Sequence, residues 1–78
     1  MKNKRLIELR EKLGLTQEEL GQKVGLTQSM IAHIEAGRRE PRSKYKIRLA
    51  KFFNVSVEWL FYEQYNDHQS LKSDTASA

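Results

Sequence analysis

With 78 residues, 14 Lys and Arg against 10 Asp and Glu, and no cysteine, the chain has room for one small domain and carries a formal net charge of +4. The missing thiols exclude a disulfide framework, a thiolate zinc site and a cysteine nucleophile. Apolar runs reach no further than Trp59-Leu60-Phe61-Tyr62, and the charged start Met1-Lys2-Asn3-Lys4-Arg5 leads into no apolar stretch, so neither a membrane span nor a signal peptide is expected and the chain reads as cytoplasmic.

The elements follow one another at short intervals. Leu6, Leu9 and Leu13 form an apolar stripe at helical spacing over residues 4–13, and Gly14 follows where a helix end takes a left-handed residue. Thr16-Gln17-Glu18-Glu19 is a capping box that opens a second helix, about 17–24, with Leu20 and Val24 inward and Gly25 as its stop. Thr27 caps a third helix, about 28–36, which carries Ile31 and Ile34 and ends at Gly37. After a basic turn closed by Pro41, Ser43 is expected to cap a fourth helix in which Tyr45, Leu49, Phe52 and Phe53 share a face. Asn54-Val55 breaks that helix, and Ser56 caps a short fifth one holding Val57 and Leu60. No run alternates with period two. The fold class is therefore all-α, a compact five-helix bundle over residues 1–65, followed by a polar tail at 66–78 whose composition buries too little to order itself.

Only Gly25-Leu26-Thr27 separates the second and third helices, which is helix-turn-helix spacing. Gly21, placed mid-helix at a cost of roughly 1 kcal/mol relative to alanine, points to a close approach of the third helix there. At roughly 100° per residue, Met30, Ile31 and Ile34 fall on one side of the third helix. Gln28, Ser29, Ala32, His33 and Ala36 fall on the other, a face of small or hydrogen-bonding residues without a carboxylate. Glutamine can pair bidentately with adenine and alanine can touch a thymine methyl, whereas a carboxylate would repel phosphates. Glu35 lies beside Ile31, turned toward the scaffold, with Arg10 of the first helix as its expected partner.

The charge distribution points the same way. Residues 38–51 hold Arg38, Arg39, Arg42, Lys44, Lys46, Arg48 and Lys51 against Glu40 alone, a block of +6. Such a run is either a solvated helix face or the footprint of a polyanion, and the neighbouring helix-turn-helix spacing favours the polyanion.

Together these residues resemble the lambda-repressor-like helix-turn-helix family, which includes phage Cro proteins and repressors and the xenobiotic-response-element-type regulators. The likeness runs through Leu9-Arg10, Gly14-Leu15-Thr16-Gln17-Glu18-Glu19-Leu20, Gly25-Leu26-Thr27, Ile31-Ala32-His33-Ile34-Glu35-Ala36-Gly37-Arg38, Pro41, Leu49-Ala50 and Val55-Ser56-Val57, about residues 4–62. The resemblance implies a dimeric regulator of transcription, a repressor, that lays its third helix in the major groove of double-stranded DNA. By that resemblance Gln28, Ser29 and His33 read bases with Thr27 and Ala32 beside them. Gln17 clamps a phosphate, its side chain pointing at the DNA backbone. Arg38, Arg39 and Arg42 touch phosphates or enter the minor groove, and Arg10 with Glu35 forms an interhelical ion pair. Gly21 stands where the family usually has alanine, which implies a looser second helix. Ser43 and Lys46 stand at commonly apolar positions, which implies a rotated fourth helix with Tyr45 or Ile47 substituting.

Val57, Trp59, Phe61 and Tyr62 cluster at the end of the fifth helix and either complete the core or form a symmetric dimer contact. A dimer there sets two reading helices about one DNA turn, roughly 34 Å, apart. An enzyme is disfavoured because the two histidines, His33 and His68, have no carboxylate pair plausibly fixed beside them. No metal-ligand spacing is present either, so no metal, cofactor or small-molecule ligand is expected. The alternatives within the same fold are an antitoxin-like chain that also binds a partner protein, and a controller of a restriction-modification operon.

Overall fold

The computed structural model describes residues 2–63. Five helices follow in order: α1 (Lys4–Lys12), α2 (Gln17–Val24), α3 (Gln28–Ala36), α4 (Ser43–Phe53) and α5 (Trp59–Glu63), the last wound with π geometry. The described residues contain no strand. The tail expected at 66–78, the boundary at 65 and His68 lie outside the described residues.

Local capping sets most boundaries. Thr16 accepts from the Glu19 amide at 3.0 Å while the Glu19 carboxylate accepts from the Thr16 amide at 2.9 Å, so two orphan donors of α2 are satisfied reciprocally. Thr27 caps α3 through the Met30 amide at 3.1 Å, and Ser56 accepts from the Trp59 amide at 3.0 Å. Gly25 and Gly37 close α2 and α3 with φ of 76° and 75°, a backbone region that resists a Cβ. Each helix then contributes one fully buried aliphatic, Leu6, Leu20, Ile31, Leu49 and Leu60, so the core is a meeting point of all five.

Four expectations are corrected. Leu13 is 58% exposed: it is the residue that ends α1, and it turns out of the stripe that buries Leu6. Ser43 is the first residue within α4 and not its cap. Arg42 takes the cap position with no side-chain hydrogen bond, its carbonyl accepting from the Tyr45 and Lys46 amides at 2.9 and 3.1 Å. The fourth helix buries Lys46 and leaves Ile47 exposed, the Lys46 ammonium meeting the Glu40 carboxylate and the Tyr62 hydroxyl at the edge of the fold. Phe61, expected at a dimer contact, belongs to the core.

Asn3, which carried no expectation, is fully buried and ties three elements together. Its Oδ1 accepts from the Leu6 amide at 3.0 Å and caps α1, and its Nδ2 donates to the Leu60 carbonyl at 3.1 Å. Its backbone N–H donates to the Glu35 carbonyl at 2.8 Å.

The glycine in the middle of α2 has a geometric cause. A Cβ on Gly21 would lie 2.5 Å from the Leu26 carbonyl oxygen and 3.2 Å from the carbonyl carbons of Leu26 and Thr27. The approaching group is therefore the backbone of the turn, which the Leu26 amide holds against the Gly21 carbonyl at 2.8 Å. Gly21→Ala would gain up to about 1 kcal/mol of helix propensity and lose about 1–3 kcal/mol to overpacking against atoms that have no rotamer to escape into. A net loss of roughly 1 kcal/mol in urea denaturation is the expected result; a gain in stability would mean that the turn yields freely.

Candidate nucleic-acid interface

The first turn of α3 carries the residues expected to read bases. Thr27, Gln28 and Ser29 are exposed, while Ala32 and His33, a turn further on, are half-buried. Ile31 and Ile34 anchor the opposite side in the core, so the orientation of α3 about its own axis is set by packing. The chain leaves α3 through Gly37 and places Arg38, Arg39 and Arg42 in an exposed irregular loop between α3 and α4. Exposed polar residues and guanidinium groups thus lie at both ends of one helix with no carboxylate between Thr27 and His33. That arrangement suits base edges at one end and phosphates at the other.

Behind this face sits an ion-pair network. Glu35 is only 3% exposed, and its carboxylate accepts from Arg10 Nε at 2.6 Å, Arg10 Nη2 at 3.1 Å and Gln17 Nε2 at 3.0 Å. Arg10 Nη1 also donates to the Leu15 carbonyl at 2.8 Å. The hydrogen bonds to Glu35 raise the Arg10 pKa, against desolvation by burial, with the Glu35 and Glu11 charges adding to the rise. The fork geometry orients α3 against both α1 and the start of α2.

Gln17, half-buried at the head of α2, donates its side-chain Nε2 to Glu35 Oε1 at 3.0 Å, so part of its side chain is engaged within the fold, beside the positive pole of the α2 N-terminus.

Among the dimer candidates, Val57 and Trp59 are half-buried and Tyr62 is 42% exposed. Arg5 holds Trp59 against α1, its guanidinium 4.3 Å from the ring centroid and its Nη1 donating to the Trp59 carbonyl at 2.7 Å. Arg48 is drawn toward the end of α2 and donates to the Val24 carbonyl at 3.4 Å, beside Gly25. Among the described residues no group of three or more His, Asp or Glu could hold a metal ion, and no helix is long and apolar enough to cross a membrane. Sequence reasoning missed Asn3 and Lys46. Asn3 had a signal, an asparagine three residues before the first apolar helical position, and Lys46 had one in its place at a commonly apolar position, though its partners Glu40 and Tyr62 had none.

Comparison with known proteins shows the family. The helix-turn-helix family model matches residues 6–60. An HTH-type transcriptional regulator of Methanocaldococcus jannaschii is 43% identical over 61 residues, covering 78% of this chain and 91% of that protein. The HTH-type transcriptional regulator ImmR of Bacillus subtilis is 32% identical over 72 residues, 92% of this chain and 54% of ImmR. The crystal structure of the P22 c2 repressor protein in complex with synthetic operator 9T is similar with a TM-score of 0.73 at 28% identity, covering 77% of this chain and 91% of that one. These relatives are regulators and not an enzyme class. The chain belongs to the helix-turn-helix family, in its Cro/C1 and xenobiotic-response-element group of DNA-binding transcriptional regulators.

Proposed function

We propose that the protein is a dimeric repressor that occupies an inverted-repeat operator and reads it through α3. The observation that carries this reading is the exposed, carboxylate-free start of α3 followed by three exposed arginines in the next loop. Gln28, Ser29 and His33 discriminate bases, with Thr27 and Ala32 in contact beside them. Arg38, Arg39 and Arg42, with the N-terminus of α2, supply affinity by displacing counterions from phosphates. Val57, Trp59 and Tyr62 form the two-fold contact, Phe61 being spent in the core. No cofactor or small-molecule ligand enters this mechanism.

Selection of bound duplexes from a random DNA pool at near-physiological salt tests it. The expected result is an enriched inverted repeat with half-sites about 10 bp apart. Salt-sensitive binding without enrichment would remove Gln28, Ser29 and His33 as autonomous readers and point to a chain that needs a partner protein.

A further inference from the structure

Six of the seven basic residues in 38–51 are exposed, and Lys46 alone is buried, at 6% exposure. Its ammonium donates to the Glu40 carboxylate and to the Tyr62 hydroxyl, and lies 4.7 Å from the Tyr62 ring centroid and 5.9 Å from that of Phe61. Glu40 is the single carboxylate of the basic block, and its side chain is 74% exposed. It therefore reaches down from the loop surface to a cation withdrawn into the fold.

Residues 38–42 have irregular backbone. One side of the loop overhangs a hollow lined by Asn3, Ile34 and Phe61, and the other overhangs one lined by Met30, Ile34 and Tyr45. Half-buried Pro41 borders both hollows, while Arg38, Arg39, Glu40 and Arg42 are exposed. The loop is joined to α3 by the Arg38 amide, which donates to the His33 carbonyl at 3.0 Å, and to α4 by the Arg42 carbonyl. Between those points Glu40 is the side chain that reaches an interior partner.

We infer that Lys46 is a positioning residue which, through Glu40 and against Tyr62, fixes the Arg38–Arg42 loop in its phosphate-binding conformation. Glu40, an acidic group inside a phosphate-facing loop, then promotes DNA binding. Simple electrostatics gives the opposite sign, since neutralising Glu40 raises the positive charge of the face. The inference rests on the proposed role of the loop arginines, and its test separates the two.

The first arm uses the full chain without DNA. Backbone 15N relaxation is measured for residues 38–42 in the wild type, Glu40→Gln, Tyr62→Phe and Glu58→Gln, the last carrying the same charge change outside the loop. Loosening in Glu40→Gln, a smaller effect in Tyr62→Phe and none in Glu58→Gln are expected; a loop equally ordered in Glu40→Gln overturns the tether. The second arm titrates a random-sequence duplex across a salt series. Glu40→Gln is expected to bind about three- to tenfold more weakly, with a salt slope shallower by about 0.9 for each phosphate that is no longer neutralised, while Glu58→Gln binds at least as tightly as wild type. Equal or tighter binding by Glu40→Gln overturns the inference. Wild-type protein that binds no duplex refutes the loop's phosphate role, and with it the inference as a statement about DNA, while the relaxation arm still decides whether the link from Glu40 to Lys46 orders the loop.

Discussion

Arg10→Met is expected to destabilise the fold by about 3–5 kcal/mol, because it leaves a carboxylate buried with its main partner gone. Glu35 would keep only the Gln17 amide, and the Leu15 carbonyl would lose its donor as well. Both side chains of the pair are largely shielded from water, so solvent cannot replace the missing bonds. A single core of this size supplies about 3–5 kcal/mol in total, so the variant should be largely unfolded at physiological temperature. Circular dichroism in a urea series measures this directly. Arg10→Met combined with Glu35→Leu should recover at least about 2 kcal/mol of the loss, since an apolar pair needs no counter-charge. If the double variant is no more stable than the single one, the damage lies in poorer packing and not in an unpaired charge.

Gln28→Ala carries the largest expected effect on recognition. A good bidentate side-chain contact to a base discriminates by about 1–3 kcal/mol. On the proposed two-fold operator, with one copy of α3 in each half-site, the total for the proposed dimer is roughly 2–6 kcal/mol. Gln28 is exposed and uncharged, so its removal disturbs neither the core nor the counterion balance, and binding to random duplex should stay almost unchanged. Competition titrations of operator half-site variants at one salt concentration supply the measurement. An equal loss on every sequence would assign Gln28 a role other than reading.

The helices themselves were legible in the chain because their ends are coded locally. The Thr16 capping box, the Thr27 cap and the left-handed glycines at 25 and 37 each act within four residues of where they stand. The facing of α3 was legible for the same reason: Ile31 and Ile34 recur at helical spacing and go inward together. Fold class and family follow from such short-range signals, since each depends only on residue type and spacing.

Gln17 shows where that reasoning stops. Its place at the head of α2 follows from the capping box, but its side chain is claimed by a carboxylate 18 positions away, and no local pattern reports a spare acceptor so far along the chain. Leu13, Phe61 and Lys46 differ from expectation for a related reason. Whether such a residue is buried depends on what another element places over it, and that element is often remote in sequence. Asn3 meets Leu60 across 57 positions, and Lys46 meets Tyr62 across 16. Charge and periodicity thus determined the helices, the basic block and the outward face of α3. The tertiary structure decided which of those charges face solvent and which are held inside, because burial and long-range hydrogen bonding exist only once the helices have met.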